Sequence, residues 1–253
     1  MDIIVLGSGT GTPSVRRSPS SLTVKAGGLR VLIDSGSGTL RRLAEANIPV
    51  QSIHHIFYTH FHPDHTADLG PILFALKYTV IPERTDPMGL WGPAGFNAFF
   101  DFLHKAWGHW IIPSTFDLAL EDLPLNGPQQ VKLGDVLIES HPVQHKDPSL
   151  GYRIEHGGKV LAVSGDSEYC KGLVEAAQGA DLFVCECSRP DDMKTPGHMG
   201  PTEAGRTARE AGAKRLLLTH FYPECDAADV LTPCRKEFPG EVILAEDLMH
   251  LKI

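Results

Sequence analysis

Thr59-His60-Phe61-His62-Pro63-Asp64-His65 is the stretch that decides how this chain is read. It follows the apolar run 53–58, which reads as a strand. Loops at strand ends are where functional sites are usually built. Residues 60–65 carry three imidazoles and one carboxylate. His60 and His62 stand two residues apart, so an extended backbone projects both to one side, where they can share an ion. Pro63 turns the chain, and Asp64 and His65 beyond it can reach a second ion a few ångströms away. Imidazole and carboxylate together suit zinc, Mn2+ or another first-row divalent metal. A polar turn with no chemical role seldom gathers such a set.

Four ligands do not fill two coordination shells, so the remainder must come from downstream. Three candidates stand at or just beyond apolar strands. His145 follows 136–140, Asp166 follows 160–163, and His220 follows Leu216-Leu217-Leu218-Thr219.

Around these points the chain alternates plainly. Ile3-Ile4-Val5-Leu6 reads as a first strand rather than a signal peptide, because no basic segment precedes it. Residues 22–25 and 30–33 flank Gly27-Gly28 as a hairpin. Further strands are expected over 151–155, 160–164, 181–186, 215–219 and 241–244. Helices are expected over 40–46, within 69–78, and over 96–111, 168–177, 201–211 and 227–238. In the 96–111 segment Phe96, Phe99, Phe100, Leu103 and Trp107 fall at helical spacing. That stripe reads as core or subunit contact rather than a platform for bases. A strand-rich first half and a strand–helix second half fit two sheets with helices on their outer faces.

Composition narrows the function. The 253 residues, 42% hydrophobic, suffice for one domain spanning 1–253. A net charge of −8 argues against a broad grip on nucleic acid, which needs many phosphate contacts. No run approaches the ~20 apolar residues of a membrane span, so no membrane partner is expected. The five scattered cysteines fit a reducing compartment, and a cytoplasmic location is the expectation. Cys185 and Cys187 read as buried thiols, since no second cysteine pair completes a zinc knuckle. The loop from Gly7 to Gly11 lacks the third glycine and the following helix of a nucleotide fingerprint, so it reads as a structural turn.

The motifs together resemble the metallo-β-lactamase superfamily, and within it the ribonuclease Z-like branch. The matching pieces are Gly7-Ser8-Gly9-Thr10-Gly11-Thr12-Pro13, Asp34-Ser35-Gly36, the 59–65 motif, Trp91-Gly92-Pro93, and His145 with Gly151-Tyr152-Arg153. Ser164-Gly165-Asp166, Glu186, Gly197-His198 and Leu218-Thr219-His220 complete the set in family order. The resemblance implies an α/β fold, a four-layer αβ/βα sandwich with the site at one edge of its two sheets. It implies two Zn2+ ions, one held by His60, His62 and His145, the other by Asp64, His65 and His220, with Asp166 between them. It makes Asp64 the group that orients an activated hydroxide, and His198, paired with Glu186, the proton donor to the leaving group. Asp34 would support the ligands from behind.

The function this implies is a metal-dependent hydrolase of phosphodiesterase type, acting on a small-molecule phosphodiester or ester. A ribonuclease Z-type tRNA 3′ endonuclease is the alternative, and lactone, thioester and sulfate-ester hydrolysis stay open. The ribonuclease Z enzymes insert a tRNA-gripping arm between the third metal-binding histidine and the bridging aspartate. Here that interval is only residues 146–165, and Ser167-Glu168-Tyr169 stands where the family carries an arginine. Nucleic acid is therefore not the favoured substrate, and a homodimer stays open. Di-iron redox members carry a carboxylate in place of His62 and add a flavin domain. Degenerate binding modules lose ligands that this chain keeps.

Overall fold

The computed structural model describes residues 1–145 and 148–253; the first two residues of the 146–165 interval lie outside it. Two seven-stranded sheets face each other. The first holds β1 (Asp2–Gly7), β2 (Ser21–Ala26), β3 (Leu29–Ile33), β4 (His55–Phe57), β5 (Met88–Pro93) and β6 (Leu118–Leu123), with β14 (His250–Lys252) beside β1. The second holds β7 (Gln129–Leu133), β8 (Val136–Pro142), β9 (Leu150–His156), β10 (Lys159–Val163), β11 (Leu182–Glu186), β12 (Arg215–Thr219) and β13 (Glu241–Leu244). Their order is β14-β1-β2-β3-β4-β5-β6 and β13-β12-β11-β10-β9-β8-β7.

Alternation along the strands divides the apolar residues between two cores. In β3, Val31 and Ile33 face the second sheet while Leu32 faces outward, and in β4 Phe57 and Ile56 divide the same way. The outward residues are covered by α1 (Thr39–Glu45), α3 (Leu69–Tyr78) and α4 (Phe96–Trp107) through Leu43, Ile72, Leu73, Phe96 and Phe100. The second sheet is covered by α5 (Lys171–Ala176), α6 (Pro201–Glu210) and α8 (Leu231–Glu237) through Leu173, Ala204, Ala208 and Cys234. This is the four-layer αβ/βα arrangement expected from the motifs. Two short helices, α2 (Pro63–Thr66) and α7 (Pro223–Ala227), lie at the strand ends.

Strand direction gathers the site. β3 runs parallel to β4, and β10, β11 and β12 run parallel to one another. β8 is antiparallel to β9, which is antiparallel to β10, so β8 points the same way as β10. Carboxyl ends of parallel strands are where open α/β sheets bind ligands. Two buried bonds fasten the sheets there: Leu150 N–H donates to Thr59 O (2.9 Å) and Tyr152 Oη–H donates to Tyr58 O (2.6 Å).

Three of the expected helices differ in their bounds. The 96–111 helix stops at Trp107, because Gly108 turns to φ 60° and a 3-10 turn, Gly108–Ile111, follows. Of its stripe, Phe96 and Phe100 are buried, whereas Trp107 is 41% exposed. The 227–238 helix is shortened to α8, since the Asp229 carboxylate accepts the Leu231 and Thr232 N–H groups and starts the helix there. The helix expected from 168 begins only at Lys171, because Glu168 N–H donates to Gln144 O instead (2.8 Å). Among the described residues no helix is long and apolar enough to cross a membrane.

Candidate metal centre

β4 delivers the 59–65 motif to the sheet edge, and Phe61 separates its first two histidines. Phe61 stacks on Phe99 of α4 at 5.1 Å, which anchors the loop on the outer core. His60 and His62 gather instead with His145, whose Nε2 lies 3.5 Å from His62 Nδ1. Asp166, just past β10, completes this set: its Oδ2 lies 3.6 Å from His60 Nε2 and 3.9 Å from His145 Nε2.

Pro63 starts α2, a favoured place for proline because its missing N–H is unneeded there. That single turn presents Asp64 and His65. His65 Nε2 and His220 Nε2 are 3.3 Å apart, and each lies 3.3 Å from Asp166 Oδ1. Asp64 Oδ2 stands 3.7 Å from His220 Nε2 and accepts the Gly11 N–H at 2.9 Å. The Gly7 to Gly11 loop thus ends on a bond that holds Asp64.

The donor atoms of His60, His62, His145 and Asp166 all lie within 4.8 Å of one another, as do those of Asp64, His65 and His220. Asp166, His198 and His220 form a third group of that kind. It is the weaker one, because His198 Nδ1 is engaged by Glu186.

Behind the imidazoles sit groups that fix their protons. Asp34, at φ 58°, accepts Thr59 N–H on Oδ1, and on Oδ2 the Thr59 hydroxyl (2.8 Å) and His65 Nδ1–H (2.7 Å). The Thr59 hydroxyl has one proton, and it points at Asp34. Its oxygen therefore accepts from His60 Nδ1 at 3.0 Å, which leaves the His60 Nε2 lone pair facing the centre. His145 Nδ1–H is held by the Gly197 carbonyl at 2.7 Å. His220, like Asp34, takes the left-handed backbone conformation uncommon outside glycine, at φ 60°.

Glu186 ends β11 beneath the 197–199 loop. Its carboxylate accepts Ser167 N–H (2.5 Å) and Met199 N–H (3.2 Å), and both oxygens lie 3.2 Å from His198 Nδ1. Burial alone would lower the His198 pKa; the bond to Glu186 and the charges of Glu186 and Asp166 outweigh it and raise it. Glu168, in the stretch that stands where the family carries an arginine, turns its Oε1 to the Gly197 N–H at 2.8 Å. Ser188 was not singled out from the sequence, yet its hydroxyl contacts Glu186, His198 and His220. The only signal available was its place two residues beyond Glu186.

The donor set suits a cation. Burial, reinforced by His65, His62 and His145, pushes the His60 pKa well below the imidazole range, so its lone pair is free. Burial would raise the Asp166 carboxyl, but His220, His65 and His60 hold it well below the carboxylate range. His60 Nε2 and Asp166 Oδ1 are nonetheless buried without a hydrogen-bond partner. Leaving such groups unpaired costs about 1–3 kcal/mol each, more when charged. A divalent ion in each donor set would satisfy both.

The other histidines stay apart from this centre. His54 Nδ1 accepts Arg30 N–H, His141 pairs with Glu139 and His156 with Asp135. Cys185 and Cys187 are buried free thiols, as expected.

Residues 29–221 match the beta-lactamase superfamily domain. The chain is 28% identical to the ribonuclease Z of Mycolicibacterium gilvum, the alignment covering 100% of this chain and 96% of that protein. Among solved structures, the metallo-beta-lactamase fold protein YhfI of Bacillus subtilis superposes with a TM-score of 0.84 at 26% identity, covering 99% of this chain and 98% of that one. Human tRNase Z, short form, superposes at 0.82 with 24% identity, covering 100% and 99%.

Proposed function

This chain belongs to the metallo-β-lactamase superfamily, and on that footing we propose that it is a two-zinc hydrolase of small phosphodiesters or related esters. The observation that carries the reading is the pair of buried, unpartnered donor atoms, His60 Nε2 and Asp166 Oδ1, inside two converging donor sets. His60, His62 and His145 would hold one ion and Asp64, His65 and His220 the other, with Asp166 reaching both. When bound, the two ions supply Lewis-acid charge to a phosphoryl group and lower the pKa of water toward neutrality.

The chain's own residues supply the rest. Asp64, fixed by the Gly11 N–H, offers its carboxylate to orient the attacking water. His198 carries a proton on the ring edge opposite Glu186 and delivers it to the departing alkoxide. Glu186 keeps that ring oriented and steadies its cationic form.

A tRNA 3′-processing role is the second reading, favoured by the full-length likeness to ribonucleases Z. Against it, β9 and β10 are joined directly through Gly157-Gly158 and pair from Lys159 opposite His156 onward. A gripping arm has no place along 148–165. Metal analysis with turnover of bis(p-nitrophenyl) phosphate, a lactone, a thioester and a precursor tRNA tests both readings. About two zinc ions per chain with preferred phosphodiester turnover is expected. Trace metal after refolding with zinc would refute the centre. Tight, salt-dependent cleavage at the discriminator nucleotide would favour tRNA processing.

A further inference from the structure

Ser188 lies past β11, fully buried between Glu186, His198 and His220. Its Oγ is 2.5 Å from Glu186 Oε2, 3.1 Å from His198 Nδ1 and 3.1 Å from His220 Nδ1. A serine hydroxyl has one proton and two lone pairs, and an ionised carboxylate can only accept. The short contact therefore fixes the hydroxyl proton on Glu186. Neither imidazole can receive it, so each Nδ1 that contacts Oγ must itself be N–H. For His220 this leaves the Nε2 lone pair facing Asp166, His65 and Asp64. For His198, Glu186 accepts at the same Nδ1–H, at 3.2 Å.

We propose that Ser188 is a positioning residue whose hydroxyl sets the proton placement of His220 and, together with Glu186, holds that of His198. It rests on the functional reading given above, and it joins the metal set to the proton-donor set. The same device stands on the other sheet: the Thr59 hydroxyl donates to Asp34 and accepts from His60. Each sheet thus contributes a carboxylate, a hydroxyl and a ligand imidazole in series. Without the Ser188 oxygen, His220 Nδ1–H has no acceptor, and the ring is free to adopt the tautomer that turns N–H toward the centre. Loss of a group that orients a ligand typically costs about 10- to 100-fold in metal affinity.

The test uses the full chain with Ser188→Ala, the near-isosteric Ser188→Cys, and Ser188→Thr, which restores a hydroxyl. Zinc dissociation constants come from chelator competition, and imidazole tautomers from 15N NMR of the zinc-free and zinc-loaded proteins. Ser188→Ala and Ser188→Cys should weaken the more labile zinc by about 10- to 100-fold and introduce the Nδ1-unprotonated tautomer of His220. Ser188→Thr should return both toward wild type. Wild-type affinity together with wild-type tautomers in Ser188→Ala would overturn the proposal. Because the tautomers are read without zinc and without turnover, this outcome is distinct from a wild-type protein that binds no metal, which would sink the functional reading instead.

Discussion

The Asp34 carboxylate and the His65 ring meet at 2.7 Å, Oδ2 to Nδ1, across the carboxyl ends of β3 and β4. The same oxygen takes the Thr59 hydroxyl, so one side chain orients His65 directly and His60 at one remove. Asp34→Asn keeps the shape and removes the charge. It should weaken zinc by about 10- to 100-fold in chelator competition. An unchanged affinity would mean that the ligands hold their orientation without Asp34.

His198→Ala should retain both ions and lose rate. Removal of one general acid costs about 10²–10⁴-fold, and the loss should appear with a poor alkoxide leaving group. With p-nitrophenolate, which departs without a proton, the defect should shrink. Equal losses on both substrates would contradict the proton-donor role. Asp64→Ala, by contrast, should abolish turnover on either substrate.

Gly36 is a packing constraint on the centre. A Cβ there would sit 2.2 Å from the Asp64 carbonyl oxygen and 2.7 Å from Pro19 Cβ. Gly36→Ala must therefore displace α2, which carries Asp64 and His65. Overpacking of this kind costs about 1–3 kcal/mol, measurable by denaturant unfolding, and zinc affinity should fall with it. A variant as stable as wild type with full metal content would show that the loop yields freely.

Asp181 provides a test in acid, away from the metal. Its carboxylate accepts Val160 N–H and pairs with Lys159 and Lys214. Burial alone would raise its pKa, but Lys214, the Val160 amide and Lys159 outweigh that and hold it at about 2. The unfolded value is about 3.9, so the stabilisation is complete above about pH 4 and is lost as pH falls through about 2. The stability gap between wild type and Asp181→Asn should be constant near neutrality and close in that window. A gap that stays constant down to pH 2 would show that the carboxylate is not held low.

Much of the site was legible because its residues sit in short, chemically loaded motifs at strand ends. His60, His62, Asp64 and His65 announce themselves within one heptapeptide. His145, Asp166 and His220 are single residues that only their order and preceding strands pick out. The Ser188 hydroxyl carried no such mark, since its meaning depends on Glu186, His198 and His220 converging from separate elements. The same limit hid β5 and β6. In β5, Gly89 and Gly92 interrupt the apolar run because a Cβ would strike His55 at 2.4 Å and Phe96 at 2.6 Å. Pairing with β4 and β6, not local pattern, makes that segment a strand. β14 is a strand for the same reason, having only β1 as partner.

The contact between His65 and His220 spans 155 residues of chain. During synthesis the heptapeptide leaves the ribosome well before its last partner exists. With elongation at about 5–20 residues per second, the interval is roughly eight to thirty seconds. In that time the early imidazoles stand without the second sheet, the Asp166 carboxylate or the His220 ring. An ion caught then would lie in a partial shell open to exchange with whatever metal is abundant. The complete donor set therefore exists only on the finished chain, after β12 has docked.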